Sequence, residues 1–343
     1  MYNWLRNGLF LLPPEVAHDI ALNALSAGRF VGLPQLMGGC PLSAPVEVMG
    51  LSFPNPVGLA AGLDKNGDHM DALGALGFGF IEVGTVTPKP QPGNPKPRMF
   101  RLPEHQALIN RLGFNNKGVD HLVDRLQSTR YKGIIGANIG KQKETPVDEA
   151  AADYRHCLEQ VYPHCHYITV NISSPNTANL RELQDTGHLN ELLAELVRSR
   201  DMMAAKHGGY RPLLIKIAPD WDATALTASL EVISQSGIDG LIATNTTLDR
   251  TAVAGHAHAG EAGGLSGTPV KSLADRTLAT ARRILGPDFP IIGLGGITRG
   301  KDAADKRRAG ADLVQIYTGF IYRGPPLIGE CIRAWQAVDD AAA

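Results

Sequence analysis

Cysteine is scarce in this 343-residue chain, with four in all (Cys40, Cys157, Cys165, Cys331) and none spaced as Cys-x-x-Cys. That excludes a disulfide framework and a zinc ribbon. His164 and His166 flank Cys165, but along a strand Cys165 faces away from both, so no metal is expected. Net charge is missing too: 33 basic residues stand against 34 acidic ones. Nucleic-acid binding driven by bulk electrostatics is thereby excluded, while a local phosphate pocket is not. No run of about 18 apolar residues is present to span a bilayer. A basic start with a small-residue cleavage site is absent as well. A reducing, cytoplasmic setting is the expectation.

What is abundant is short apolar runs. Hydrophobic residues make up 43% of the chain, enough for a large core. Eight runs read as buried strands: 57–63, 80–86, 134–139, 167–172, 213–218, 240–244, 291–294 and 313–317. Helical patterns follow them at 67–76, 116–127, 147–162, 189–206, 223–236, 270–285, 301–309 and 327–338. Alternation of this kind predicts parallel βαβ units, and eight units close a (β/α)8 barrel. A doubly wound open sheet is the alternative fold. Two regions break the alternation. One is the Pro-rich excursion 87–115, read as a long loop. The other is the N-terminal stretch, so the domains are set at 1–38 and 39–343.

Active sites in such barrels lie at the carboxyl ends of the strands, so those residues carry the chemistry. The fourth run ends Asn171-Ile-Ser-Ser-Pro-Asn176. Its amides supply donors and acceptors for a planar imide or ureide, with Ser174 between them as a possible proton acceptor. A polar strand-to-helix turn is the plainer reading of this hexapeptide taken alone. Other strand ends deliver Lys65, Thr85, Asn138, Lys216 and Thr244-Asn245-Thr246. Lys216, between Ile215 and Ile217, faces a barrel interior and needs an electron-rich partner there. The last strands end in glycine turns, Gly293-Leu-Gly295-Gly296 and Tyr317-Thr318-Gly319, with a further turn at Gly263–Gly267. Thr298 stands where a dinucleotide fingerprint needs its third glycine, so a mononucleotide phosphate fits better than a Rossmann site.

Taken with Glu82–Pro88, Asn110–Asn116, Ile242–Thr247 and Gln315–Gly319, these stretches resemble the dihydroorotate dehydrogenases, flavin enzymes of pyrimidine synthesis. The resemblance covers nearly the whole chain and is greatest to the quinone-using, membrane-associated class. It implies flavin mononucleotide (FMN) over the barrel mouth, held by Ala61, Gly62, Leu63, Asp64, Lys65, Thr85, Asn138, Asn171, Lys216, Thr244, Gly267, Gly296, Tyr317 and Thr318. It implies dihydroorotate gripped by Lys65, Asn110, Arg111, Leu112, Gly113, Phe114, Asn171, Asn176, Asn245 and Thr246. Ser174 would take the C5 proton while a hydride leaves C6 for the flavin, with Thr177 as relay and Phe114 as shield. In the soluble sister class a cysteine occupies the Ser174 position. Thr318 stands where the family pattern leads one to expect serine, and either side chain offers a hydroxyl.

The N-terminal segment carries an apolar stripe (Leu5, Leu9, Leu12), a Pro13-Pro14 break and a second amphipathic stretch from Glu15. Two such helices could simply cap the barrel. The resemblance implies instead a quinone tunnel lined by His18, Arg101 and Tyr317, resting peripherally on the cytoplasmic face of the cell membrane. A monomer with no nucleic-acid partner is expected. The alternatives are a soluble-class enzyme using fumarate or NAD, a tRNA dihydrouridine synthase, or a flavin-binding barrel without catalysis. The first loses weight from Ser174, the second from the balanced charge and the third from Lys65 and Ser174 both being present. His256 and His258 are read as solvated loop residues.

Overall fold

A computed structural model describes residues 2–38, 42–177 and 180–340. Cys40 and the start of the barrel domain at residue 39 lie outside the described residues. Eight strands form a closed barrel in sequence order: β1 (Val57–Leu59), β2 (Phe80–Val86), β3 (Ile134–Ile139), β4 (Tyr167–Asn171), β5 (Leu213–Ile217), β6 (Gly240–Ala243), β7 (Ile291–Leu294) and β8 (Leu313–Ile316). Every neighbouring pair is parallel, and β8 returns to β1. The open doubly wound sheet is therefore excluded. The strands read as unbroken apolar runs because helices cover one face and barrel side chains the other. In β2, Ile81 and Val83 pack outward against the helices, while Phe80 points inward with Tyr167, Leu214, Ile242, Ile292 and Leu313. A hairpin, Val46–Val48 with Leu51–Phe53, closes the barrel floor through fully buried Phe53.

The 87–115 excursion is not a structureless loop, and here the sequence reading needs correcting. Met99–Leu102 and Ala107–Asn110 pair antiparallel, and Gly264–Gly267 adds a third strand. Phe100, Leu102, Ala107, Ile109, Val253 and Leu265 give this flap a core of its own. The "turn" at 263–267 is thus largely an edge strand. The helix expected over 67–76 shrinks to Met70–Gly74. Its first turn is pre-empted by the Asp64 carboxylate, which accepts from the backbone N–H of Asp68 (2.9 Å) and His69 (2.8 Å). The first strand likewise ends at Leu59 rather than at 63, because residues 60–65 turn over the barrel mouth.

Three N-terminal α-helices precede the barrel, α1 (Tyr2–Phe10), α2 (Pro14–Gly28) and the short α3 (Leu33–Gly38). Leu12 lies beyond α1, so the three-leucine stripe does not share one helix. The Arg101 guanidinium donates to the carbonyl of Leu12 (2.8 Å) and sits 4.4 Å from the Phe10 ring centre, pinning the end of α1 to the flap. Trp4 (84% exposed), Leu11 (88%), Val16, Ile20 and Phe30 face outward, an apolar platform on this end of the molecule.

Candidate active site

A cavity of about 1010 Å³, counting its open mouth, sits at the carboxyl ends of the strands. Its base is polar and closely bonded. Glu82, fully buried, accepts from Asn138 Nδ2 (2.8 Å), Tyr167 Oη (3.0 Å), Thr169 Oγ1 (3.2 Å) and Gln315 Nε2 (2.8 Å). Lys216 projects from β5 into the same space, only 4% exposed. Among the described residues no group hydrogen-bonds its ammonium. Burial pulls its pKa down, and the Glu82 charge pulls it partly back. A buried ammonium without a partner calls for an electron-rich ligand atom.

One wall is built from amides. Asn171 Nδ2 donates to Thr85 Oγ1 (2.9 Å), which donates to Asn138 Oδ1 (2.5 Å). Ser173, fully buried, donates to Asn171 Oδ1 (3.0 Å) and accepts from Asn245 Nδ2 (2.9 Å), so one hydroxyl fixes two amides. Asn176 Nδ2 reaches Asn110 Oδ1 (3.3 Å). Ser174 lines the cavity, its Oγ accepting from the Asn176 backbone N–H (3.2 Å). The Thr177 hydroxyl is buried and has no hydrogen-bond partner among the described residues. Phe114 lines the cavity too, at a positive φ of 53° that few non-glycine residues adopt.

Lys65 Nζ donates to the Gly62 carbonyl (2.9 Å), and Tyr317 Oη approaches the same oxygen (3.4 Å). Burial lowers the Lys65 pKa to about 8, with Glu15, Asp64 and Asp19 raising it and Arg98 lowering it. His18, on α2, is kept neutral, its pKa lowered to about 3 by burial first and then by Lys65 and His69. Tyr317 stays protonated, burial raising it to about 12. Lys65 and Tyr317 therefore meet at the Gly62 carbonyl, and His18 on α2 is near enough to feel the Lys65 charge. Arg101 stands apart at the end of α1.

Another part of the rim is made of glycine turns. Gly267 (φ +93°) lies against the Gln106 carbonyl and Gly296 (φ +80°) against the backbone of Lys271, where a Cβ would collide. Thr318 Oγ1 donates to Ser266 Oγ (2.8 Å), adding hydroxyls to a rim of backbone N–H groups. Such a cradle suits a phosphate monoester. The unpartnered Lys216 and the cradle across the cavity together fit a flat, electron-rich ring carrying a phosphate tail.

Most sequence-selected residues line this space: Ala61, Gly62, Lys65, Thr85, Asn110, Leu112, Gly113, Phe114, Asn171, Ser174, Asn176, Lys216, Thr244, Asn245, Thr246, Gly267, Gly296, Tyr317 and Thr318. Others do not. Asn138 and Asp64 act through the bonds just described, and Leu63 is buried in the outer core. The Arg111 side chain turns away to Glu261 (2.6 Å) and the Pro97 carbonyl (2.9 Å). Sequence reasoning missed the roles of Glu82, Ser173, Ser266 and Gln315. Ser173 was within the hexapeptide, and Glu82, a carboxylate inside a seven-residue buried strand, was a signal in plain view. Among the described residues no cluster of His, Cys, Asp and Glu can hold a metal ion.

A closed parallel barrel with this polar base, amide wall and glycine cradle defines a (β/α)8 enzyme for a planar, hydrogen-bonding substrate beside a phosphate-bearing group. Within that class the family is specific. The dihydroorotate dehydrogenase family matches residues 43–338, and the chain belongs to it. It is 56% identical over 334 residues to the dihydroorotate dehydrogenase (quinone) of Marinobacter nauticus, covering 97% of this chain and 98% of that one. It is 56% identical over 337 residues to the enzyme of the same name from a Marinomonas species, covering 98% and 97%. The crystal structure of Eimeria tenella DHODH with ferulenol superposes with a TM-score of 0.86 at 35% identity, covering 96% of this chain and 92% of that one.

Proposed function

We propose that the chain oxidises (S)-dihydroorotate to orotate and passes the electrons to a quinone, a step of de novo pyrimidine synthesis. The observation that carries this reading is the Ser174 hydroxyl set in a wall of asparagine amides opposite Lys65. A ureide edge matches the amides, and a ring carboxylate matches the lysine. FMN would be held by Lys216, Thr85, Thr244 and the Gly267, Gly296 and Thr318 rim, and would supply the hydride acceptor between dihydroorotate and the quinone.

Ser174 takes the C5 proton and passes its own hydroxyl proton to Thr177, which releases one in turn to a solvent molecule; the buried Thr177 Oγ1 has no hydrogen-bond partner among the described residues, so it is available for that exchange. Phe114 and the flap above it exclude bulk water, which raises the basicity available to a hydroxyl that is a weak base in solution. Ser173 keeps Asn171 and Asn245 in register while this happens. Lys65 must be charged to hold the carboxylate, so kcat/KM for dihydroorotate is expected to fall as pH rises through about 8, the free-enzyme value. A profile flat to well above that pH would remove Lys65 from the binding step.

For the quinone, the route runs past His18 and Tyr317 beneath α2, with Arg101 at the end of α1. The described residues contain no helix long and apolar enough to cross a membrane. Contact through Trp4, Leu5, Leu11, Val16, Ile20 and Phe30, worth about 1.5–3 kcal/mol for each side chain fully buried, amounts to reversible, peripheral attachment once ordering costs are subtracted. We place it on the cytoplasmic face of the cell membrane.

The test is anaerobic. Dihydroorotate should bleach the yellow protein, and a ubiquinone analogue should restore the colour promptly. Recovery only with fumarate or a nicotinamide would keep the substrate and overturn the acceptor. No bleaching of flavin-loaded protein would overturn the substrate.

A further inference from the structure

Arg98 closes the Pro-rich excursion and is only 6% exposed, although nothing in the reaction just described uses it. Its partners explain the burial. Nε and Nη2 donate to Glu15 Oε1 (3.0 and 2.9 Å), in the first turn of α2. Nη1 donates to the carbonyls of Pro92 (2.6 Å) and Asn94 (2.9 Å). One guanidinium thus fastens the N-terminal helix to the loop on the far side.

That loop is in turn part of the dihydroorotate wall. Asn94 Nδ2 donates to the carbonyls of Arg111 (2.9 Å) and Asn176 (3.2 Å), and its backbone N–H to Leu112 (3.1 Å). The Arg111 N–H returns to the Arg98 carbonyl (2.8 Å). Asn110, Leu112, Gly113 and Phe114, which line the cavity, lie in the segment held this way, as does Asn176. A planar fork with three acceptors fixes position in a way that a flexible ammonium cannot.

We propose that Arg98 is a positioning residue for dihydroorotate: it clamps the 92–94 loop, and through it Asn176 and the 110–114 segment, onto Glu15 of α2, so that the helix on the acceptor side sets affinity on the donor side. The inference rests on the function proposed above, since it needs dihydroorotate as the ligand of that wall. Coupling of this kind is reciprocal. A ligand that shifts α2 changes orotate affinity, and orotate changes the affinity for that ligand by the same factor.

The same pair acts on Lys65 electrostatically. Glu15 and Asp19 of α2 and Asp64 raise its pKa, while Arg98 lowers it and the neighbouring His18 is neutral. Removing the Glu15 charge therefore moves the alkaline limb of kcat/KM to lower pH, a shift that a purely mechanical defect would not cause.

The experiment uses the full-length, flavin-loaded enzyme as wild type, Glu15→Gln, Arg98→Lys and the double variant. Below the alkaline limb, each single variant is expected to raise KM for dihydroorotate and the calorimetric Kd for orotate by about 10- to 100-fold, the scale set by a misplacement of about 1 Å. Turnover at saturation and flavin content should stay near wild type. The double variant should be no worse than the poorer single one, because both break one contact. Unchanged KM and Kd, multiplying effects in the double variant, or a parallel loss of turnover and flavin would each overturn the clamp. Failure of wild type itself to bleach with dihydroorotate would instead indict the proposed function.

Discussion

Ser174→Ala is expected to slow reduction of the flavin by dihydroorotate about 10²- to 10⁴-fold, equivalent to roughly 3–5 kcal/mol of barrier, while flavin content stays normal. The geometry separates the two outcomes. Among the described residues Ser174 Oγ takes part in a single local bond, from the Asn176 N–H, whereas Asn171, Ser173 and Asn245 brace each other without it. The Thr318 hydroxyl at the cradle is bonded to Ser266 and not to Ser174. Removing one oxygen thus deletes the proposed base and leaves the proposed substrate and flavin contacts standing. Rapid-mixing absorbance under anaerobic conditions measures the step, and the flavin-to-protein ratio measures the scaffold. Near-normal bleaching, or flavin-free protein, would strip Ser174 of the role.

Deleting residues 1–38 should abolish quinone reduction while sparing reduction of the flavin at saturating dihydroorotate. The barrel closes on its own hydrogen bonds from residue 57 onward, and its hydrophobic core is contributed overwhelmingly by later residues. What the deletion takes away is His18, the exposed apolar side chains and the wall of the proposed acceptor route past Tyr317. It also removes Glu15, so half-saturation by dihydroorotate should move upward even though the limiting rate does not. Quinone kinetics unchanged in the truncated protein would detach the segment from the acceptor altogether.

The parts of this molecule legible in the sequence were those with local causes. Val83 or Ile215 announces a strand between two covered faces, and eight such runs leave little choice of topology. Asn171 to Asn176 announced a site because amides and hydroxyls are costly to end a buried strand with unless something uses them. The flap was illegible for the opposite reason. Met99–Leu102 is four residues long and becomes a strand only by pairing with Ala107–Asn110, which in turn needs Gly264–Gly267, more than 150 positions away. No local pattern encodes that partner. The direction of the Arg111 side chain was not legible either: its neighbours Asn110 and Leu112 line the cavity, and a strand-like alternation sends the residue between them outward to Glu261. Glu82 was passed over as part of a run whose apolar majority hid it, although an interior carboxylate needs several donors from distant strands.

One detail of α1 bears on how the molecule behaves over time. The helix has no fully buried side chain; it is held by hydrogen bonds from Tyr2 and Arg6 to carbonyls of the helix after β8, by Arg101 at its end, and by an edge contact between Phe10 and Tyr322. An element retained this way is the first to open locally, so its amide protons should exchange with solvent deuterium while those of β2 and β4 remain protected. Lipid against its exposed Trp4 and Leu5 face would slow that exchange without any change in the barrel. The lifetime of the docked α1 would then be set largely by whatever surface that face is held against.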